Sequence, residues 1–466
     1  MMNHLHRAKN LSALVAGPAL FFLIYSLPVE GLSDAGRAVL ACTSWIALWW
    51  ITEPVDLVVT SLLPILLFPL SGALSVEETT SSYGNPFIYL FLGGFVMGLA
   101  IEKWNLHRRI AFKIIGFVGL NEKKVLLGIM IATAFISMWI SNTATAIMML
   151  PIGMSVVDHF QSKQPFSRNI MLGIAYASSI GGMATLIGTP PNIILAGVAK
   201  SSLGFEISFF HWMLFGVPFS ALLLFLVWIY LAGFRLAKQD NESVLQFEPL
   251  SPMTTAEKRV LLVVAGMAFL WITRTFIWNR WIPRLDDTLI AIFGAMMLLV
   301  LPSGKKGERL LDWKTASRLP WSILILFGAG LAIAKGFSST NLTGWMGSLF
   351  ARLDFLPAGL IMLIVFLSIN FLTEVSSNTA TASIMLPILV TLAHSLRLDA
   401  VPLLAGAAIS ASCAFMLPVA TPPNAIVFSS EKLTISQMAR TGFVINIVSV
   451  ILTYLFIRYM WGYAFG

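Results

Sequence analysis

The sequence predicts an all-α polytopic membrane protein with eleven transmembrane helices and two re-entrant hairpins, arranged as inverted repeats. Three observations support this fold class: the composition, the recurrence of long apolar stretches, and two motifs that each occur twice. Of the 466 residues, 57% are hydrophobic and only 11% are charged, whereas soluble domains carry about 25% charged residues. The mean hydropathy is +0.84. A membrane β-barrel would show short alternating segments instead, and these do not dominate the sequence.

Apolar stretches recur from one end of the chain to the other, and a bilayer crossing needs about 20 apolar residues. We interpret the first stretch as a retained span and not a cleaved signal peptide, because it is long and no small-x-small cleavage site follows it. The eleven predicted spans lie near residues 11–28, 37–51, 55–70, 85–102, 170–199, 210–234, 258–277, 287–302, 320–336, 400–429 and 441–460.

Two further apolar stretches, 125–157 and 356–395, contain the tripeptide SNT at mid-length, in "SNTATAIMMLP" and "SNTATASIMLP". Each stretch is either one long span or a hairpin that enters and leaves on the same side. With two hairpins, 21 of the 30 Lys and Arg residues face the cytoplasm, as the positive-inside rule requires. This arrangement predicts a multi-pass protein of the cytoplasmic (inner) membrane with a cytoplasmic N-terminus and an extracytoplasmic C-terminus.

The two halves of the chain repeat the same order of features. "NPFIYLFLGGFVMGLAIEKW" (85–104) is similar to "LPWSILILFGAGLAIAKGF" (319–337), and an SNT hairpin and a proline-broken span follow in each half. The breaks are "GTPPN" (188–192) and "ATPPN" (420–424). One repeat starts inside and the other outside, and a polar linker at 235–258 separates them. Inverted repeats with broken helices are typical of secondary transporters.

The duplicated motifs have a chemical meaning in an apolar setting. A Pro-Pro pair interrupts a helix, and the freed carbonyls suit a dehydrated cation where protein or water surrounds them. SNT suits a helix N-cap, and helix N-termini attract anions. The alternative is that SNT only caps a helix and TPPN only kinks one, but two copies of both motifs in matching order argue against it. Neither SNT tip and neither TPPN break contains Lys or Arg.

These paired motifs resemble those of the divalent-anion/sodium symporter family, and the bacterial sodium-dicarboxylate type in particular, over essentially the whole chain. The resemblance implies a homodimer, an elevator mechanism and two sodium sites that flank one anion site. It implies sodium ligands at Ser137, Ser141, Asn142 and Gly188 for the first site, and at Thr373, Ser376, Asn378 and Ala420 for the second. It implies substrate contacts from Asn142, Thr143, Thr189, Ser377, Asn378, Thr379, Thr421 and Pro422.

The resemblance also implies a division of the chain into scaffold and transport elements. Scaffold helices are expected in 1–120 and 258–355, transport elements with an SNT hairpin and a broken span in 121–200 and 356–466, and the sixth span with the cytoplasmic linker in 201–257.

The function expected from these features is sodium-driven import of C4-dicarboxylates such as succinate, fumarate and malate. A sulfate or tricarboxylate carrier, a sodium-independent exchanger and an anion channel remain as alternatives. An enzyme is not expected, because none of the six histidines pairs with a carboxylate or cysteine at ligand spacing, and no organic cofactor is expected. The basic residues that give the net charge of +8 lie in short loops beside the bilayer. This charge therefore does not predict a nucleic-acid partner.

Two acidic positions stand out. Glu374 lies three residues before the second SNT tripeptide, where it either tunes the second sodium site or points into a water-lined crevice. Glu53 and Asp56 lie at a span boundary beside Pro54, where we expect a solvated loop or an interfacial cap.

Overall fold

The computed structural model describes residues 2–119, 121–160, 164–233 and 251–465. Within these ranges the chain is helical and contains no β-strand, only an isolated bridge between Pro302 and Arg309. The α-helices of the described ranges are α1 (Met2–Ser26), α2 (Asp34–Thr52), α3 (Leu57–Thr60), α4 (Leu63–Leu70), α5 (Val76–Ser81), α6 (Pro86–Lys103), α7 (Leu106–Val118), α8 (Glu122–Ser137), α9 (Asn142–His159), α10 (Gln164–Gly182), α11 (Pro190–Leu203), α12 (Phe209–Gly233), α13 (Thr255–Thr273), α14 (Asp287–Val300), α15 (Trp313–Ala316), α16 (Trp321–Ser339), α17 (Leu342–Phe350), α18 (Ala358–Leu372), α19 (Asn378–Ser395), α20 (Ala400–Ser412), α21 (Pro422–Phe428), α22 (Ile435–Tyr459) and α23 (Trp461–Phe465).

Long apolar helices agree with the prediction of a polytopic membrane protein. Four helical segments of the described ranges are long and apolar enough to cross a bilayer, namely Val76–Lys103, Phe209–Gly233, Trp321–Ser339 and Ile435–Tyr459. A fifth arises if the pair Leu342–Leu353 and Ala358–Leu372, bent by 115°, counts as one span. The number of eleven crossings therefore stays a prediction, because several predicted spans consist of shorter helices.

Three predicted spans are interrupted. The stretch 55–70 divides into α3 and α4 just before Pro64, a residue that fits the first turn of a helix but not its interior. The stretches 170–199 and 400–429 divide at residues 183–189 and 413–421, where the TPPN motifs restart the chain as α11 and α21. The predicted polar linker falls largely on 234–250, outside the described residues; its described end is a capping box between Thr254 and Glu257 that begins α13.

Both halves contain the same succession of elements. In each, a long helix (α6 or α16) is followed by an asparagine in the left-handed conformation, a short helix, two helices joined at an SNT tip, and a broken helix. The two asparagines are Asn105 (φ 52°) and Asn341 (φ 57°), and asparagine tolerates this conformation better than most residues. This correspondence supports the predicted internal repeat, whereas the inverted orientation of the halves stays a prediction.

The packing of the helices brings the two motif pairs to one centre. Helix α10 packs against α8, α9 and α21, while α11 packs against α16, α19 and α20. Small residues permit close approach, and a Cβ atom at Gly181 would lie only 2.2 Å from the carbonyl oxygen of Ala134. Each broken span thus contacts elements of the other half, and both SNT tips face a shared space.

Candidate functional site

The shared space is a cavity of about 650 Å³. Most of its polar wall comes from both SNT tips and both TPPN breaks, and its apolar wall includes Phe91 and Phe95 of α6 and Ile323 and Leu326 of α16. All eight residues predicted to contact substrate line it, namely Asn142, Thr143, Thr189, Ser377, Asn378, Thr379, Thr421 and Pro422. The sequence motifs therefore converge on one cavity of a size suited to a small organic molecule.

The predicted sodium ligands lie on the cavity wall or directly behind it. The residues on the wall are Ser141, Asn142, Gly188, Ser376, Asn378 and Ala420. Ser137 and Thr373 do not line the cavity; both are fully buried. Each contacts the asparagine of its own tip, so the eight positions form two groups, one in each half.

Helix starts explain why these residues face the cavity. Ser141 caps α9, and its hydroxyl accepts a hydrogen bond from Ala144 N at 3.3 Å. Thr189 and Thr421 are extended residues, with φ of −144° and −143°, that place a proline at the first position of the next helix. Because α9, α11 and α19 all begin at the cavity, their N-terminal dipoles make it favourable for an anion.

The first group of predicted ligands is an oxygen cluster around Asn142. Ser137 Oγ lies 2.8 Å from Asn142 Oδ1 and donates to the Ser178 carbonyl at 2.6 Å. Asn142 Oδ1 faces only hydrogen-bond acceptors. If the side-chain amide were rotated so that its O and N exchanged places, the nitrogen would donate to Ser178 O (3.0 Å), Gly188 O (3.2 Å) and Ser137 Oγ (2.8 Å). With the oxygen inward, hydroxyl, carbonyl and amide oxygens converge, as hard cations require.

Close backbone contact forms this first cluster. A Cβ atom at Gly182 would lie 2.3 Å from Asn142 Oδ1, and one at Gly188 would lie 2.4 Å from the carbonyl oxygen of Gly182. A side chain at Gly188 would therefore require the backbone to move, and one at Gly182 would require the Asn142 amide to move. The two glycines therefore allow the break to pack against the Asn142 amide, where only backbone fits.

The second group repeats this arrangement around Asn378. Thr373 Oγ1 lies 2.7 Å from Asn378 Oδ1 and donates to the Ala411 carbonyl at 2.9 Å. In both halves the hydroxyl residue precedes the asparagine by five positions and also bonds a carbonyl near the end of the broken helix. Ser376 Oγ also forms hydrogen bonds within the hairpin, to Leu372 O (2.9 Å) and Thr381 Oγ1 (2.7 Å).

Two asparagines for which the sequence predicts no role form hydrogen bonds with the backbone of the breaks. Asn192 Nδ2 donates to Thr185 O at 2.7 Å, and Asn424 Nδ2 donates to Leu417 O at 3.0 Å and to Ala414 O at 3.1 Å. Both side chains are fully buried. Their signal in the sequence is the last residue of each TPPN motif, whereas the carbonyls of Ser178 and Ala411, which accept from Ser137 Oγ and Thr373 Oγ1, leave no side-chain signature.

Glu374 does not point into a water-lined crevice, so that alternative was wrong. Its side chain is only 3% exposed and accepts hydrogen bonds from the break at residues 415–417. Backbone N–H groups of the non-helical break supply hydrogen bonds that replace those a carboxylate would otherwise receive from water.

Glu53 is an exposed residue of a turn, as predicted, but it also lines the cavity. It follows α2 in the left-handed conformation, with φ of 45°. Burial raises the pKa of the Glu53 carboxyl, and the Asp56 carboxylate raises it further. Asp56 itself caps α3 by accepting from Val58 N at 2.9 Å. Among the described residues that line the cavity, Glu53 is the one with an ionisable side chain, and none is Lys or Arg.

Comparisons with known proteins agree over nearly the full chain. Residues 8–466 match the family model described as "Sodium:sulfate symporter transmembrane region". The "Sodium-dependent dicarboxylate transporter SdcS" of Staphylococcus saprophyticus is 42% identical over 481 residues, covering 98% of this chain and 92% of the relative. The protein of the same name from Staphylococcus aureus (strain USA300) is also 42% identical over 481 residues, covering 97% and 91%.

Two solved structures share the fold. The YdaH transporter of Alcanivorax borkumensis has a TM-score of 0.61 at 12% identity, covering 82% of this chain and 87% of its own. MtrF of Neisseria gonorrhoeae has a TM-score of 0.56 at 12% identity, covering 82% and 83%. The sequence matches confirm the predicted family, and these structures confirm the all-helical transporter fold. The chain therefore belongs to the sodium:sulfate symporter family and is a multi-pass transporter of the cytoplasmic membrane, not an enzyme.

Proposed function

We propose that this protein imports C4-dicarboxylates, such as succinate, fumarate and malate, together with sodium across the cytoplasmic membrane. One observation supports this function above the others: an anion-favouring cavity, whose lining includes no Lys or Arg among the described residues, has an oxygen cluster on each half of its polar wall. The relatives that are 42% identical are named sodium-dependent dicarboxylate transporters. No organic cofactor is part of the proposal.

The donor sets fit sodium. The first would combine Ser137, Ser141 and Asn142 with the Gly188 carbonyl, and the second would combine Thr373, Ser376 and Asn378 with the Ala420 carbonyl. Neither set includes a carboxylate, whereas protein sites for calcium typically include several. Neutral oxygen ligands therefore favour a monovalent cation. Sodium is cargo in this scheme, and its positive charge replaces the basic side chains that the cavity lacks.

The substrate in this proposal reaches both tips. One carboxylate would contact Asn142 and Thr143, with Thr189 of the first break beside it. The other would contact the second tip and the second break, through Ser377, Asn378, Thr379, Thr421 and Pro422. Each exposed helix terminus contributes about 0.3–1 kcal/mol toward an anion, so bound sodium provides most of the attraction.

The same chemistry separates dicarboxylates from the other candidate substrates. Sulfate is compact and would leave one tip unfilled, and a monocarboxylate would leave a set of donors unpaired. Citrate would bring a third negative charge that has no basic partner. A sodium-independent exchanger or an anion channel would have no use for two buried oxygen clusters.

We further propose that the protein is a homodimer that works as an elevator. The segments 121–200 and 356–466 would move as transport elements against the scaffold segments 1–120 and 258–355, with 201–257 connecting the halves. The position of the cavity supports this division, since both SNT tips and both TPPN breaks on its polar wall belong to the proposed transport elements, whereas the scaffold segments add only Thr52, Glu53 and Ser322 to that wall. Its apolar wall comes largely from α6 and α16 of the proposed scaffold.

Competition against labelled succinate in proteoliposomes, at fixed sodium, tests the substrate assignment. We expect unlabelled fumarate and malate to compete strongly, citrate to compete weakly, and sulfate to compete least. If sulfate displaces succinate better than fumarate and malate do, the dicarboxylate assignment is wrong and a sulfate carrier replaces it.

A further inference from the structure

A buried carboxylate lies directly behind the second oxygen cluster. Glu374 follows Thr373, whose hydroxyl belongs to that cluster. Both oxygens of Glu374 accept hydrogen bonds, from the backbone N–H groups of Phe415 (2.7 Å), Met416 (3.0 Å) and Leu417 (3.0 Å) and from Asn446 Nδ2 (2.7 Å). One side chain thus connects the hairpin tip, the break and helix α22.

The hydrogen bonds indicate that this carboxylate is ionised. All four partners are donors, and an ionised carboxylate is a pure acceptor, whereas a protonated one needs an acceptor for its own hydrogen. Among the described residues no Lys, Arg or His forms an ion pair with Glu374. The break provides the compensation instead, because consecutive N–H groups outside a helix form an anion-binding concavity.

The contact also fixes the backbone that supplies sodium ligands. Leu417 is held on both sides, since Glu374 accepts from its N–H while its carbonyl accepts from Ala420 N at 3.2 Å and from Asn424 Nδ2 at 3.0 Å. The Ala420 carbonyl is one of the proposed sodium ligands. A shift of the break would therefore move that carbonyl relative to Asn378.

In the first half, no charged side chain takes part in the corresponding contact with the break. Met138 stands at the position of Glu374, since each precedes its SNT asparagine by four residues. Its backbone carbonyl accepts from Thr185 Oγ1 at 2.6 Å, and Thr185 Oγ1 in turn accepts from Gly188 N at 3.1 Å. The two oxygen clusters are thus alike in their ligands but differ by one buried negative charge.

We propose that Glu374 is a positioning residue for the second sodium site, which holds the break in place and makes that site bind sodium more tightly than the first. The proposal rests on the proposed function above. The carboxylate acts through the break and through its charge, and it does not itself contact the substrate.

Glu374→Gln tests the proposal because it keeps the shape and removes the charge. We expect the sodium concentration for half-maximal succinate uptake to rise about tenfold, because the loss of one buried charge weakens cation binding at that site. The succinate KM at saturating sodium should change less than twofold. Thermal stabilisation of the purified variant by sodium chloride, relative to choline chloride, should weaken in parallel. Met138→Leu is the matched control and should leave the sodium dependence unchanged, since only its carbonyl makes the corresponding contact.

An unchanged sodium dependence combined with a lower maximal rate would overturn the proposal and leave Glu374 a purely structural residue. If Glu374→Gln does not fold, Asn446→Leu removes one of the four donors and keeps the carboxylate. That variant should shift the sodium dependence in the same direction by about threefold, and no shift there would also overturn the proposal. Wild-type uptake that ignores sodium would contradict the proposed function itself, which separates the two failures.

Discussion

Asn142 and Asn378 each stand between a cation cluster and the anion cavity. Their Oδ1 atoms lie 2.8 Å from Ser137 Oγ and 2.7 Å from Thr373 Oγ1, and both residues line the cavity. An amide in this place offers its oxygen to a cation and its N–H groups to an anion. One side chain then takes part in binding both solutes.

We therefore predict that Asn142→Ala and Asn378→Ala each reduce succinate uptake at least a hundredfold, because two charge-assisted contacts at about 1.5–3 kcal/mol each are lost. Uptake into proteoliposomes that contain equal amounts of folded protein measures this. Asn279→Ala, outside the cavity, is the control and should transport normally. Wild-type rates in either cavity variant would mean that the asparagines only cap helices.

Glu53 adds a negative charge to a cavity that binds anions in the proposed function. We predict that Glu53→Gln lowers the succinate KM roughly threefold at low ionic strength, with a smaller change at high salt because a partly solvated charge is screened. Kinetics at constant sodium and varied choline chloride measure this. Glu77→Gln, an exposed residue of α5 outside the cavity, should behave like wild type. An increase in KM would instead make Glu53 part of a cation site.

At the scale of elements, the first broken helix depends on two glycines that pack against the tip of the first hairpin. We predict that Gly182→Ala raises the sodium requirement for uptake at least tenfold, because its Cβ would lie 2.3 Å from Asn142 Oδ1 and would displace a ligand. The control is Gly266→Ala in α13, where a Cβ meets nothing within 4 Å and alanine is the better helix former. Equal sodium dependence in the two variants would contradict the proposal that the first oxygen cluster binds sodium.

The elements were predictable to different degrees. Helices α6, α12 and α16 lie within a few residues of the predicted spans, because an unbroken apolar run has one stable form in a bilayer. The division of 55–70 was missed although Pro64 gives the signal for it. The motif residues of the site were identifiable because small polar side chains are unexpected among apolar ones. The contact of Glu374 with the break at 415–417 could not be identified from the sequence. It joins segments about 40 residues apart, and only the tertiary fold brings them together.

At the scale of the whole molecule, the number of sodium ions decides whether transport moves charge. Two sodium ions with a doubly charged succinate are electroneutral, and a third would carry one positive charge inward. From the family resemblance, and in addition to the two proposed sites, we predict that more than two ions accompany each succinate. One charge across 100 mV corresponds to about 2.3 kcal/mol, so an inside-negative potential should increase accumulation roughly fiftyfold. Potassium–valinomycin potentials of either sign measure this, and uptake that is indifferent to them would indicate two sodium ions.

The central claim is that sodium supplies the positive charge that the cavity lacks. The most direct measurement is labelled succinate uptake into proteoliposomes at zero membrane potential, with either sodium or choline as the external cation. We predict concentrative uptake with external sodium and a background level with choline, because no Lys or Arg of the described chain lines the cavity to bind the anion alone. Equal uptake in the two buffers would contradict the account and favour a sodium-independent exchanger.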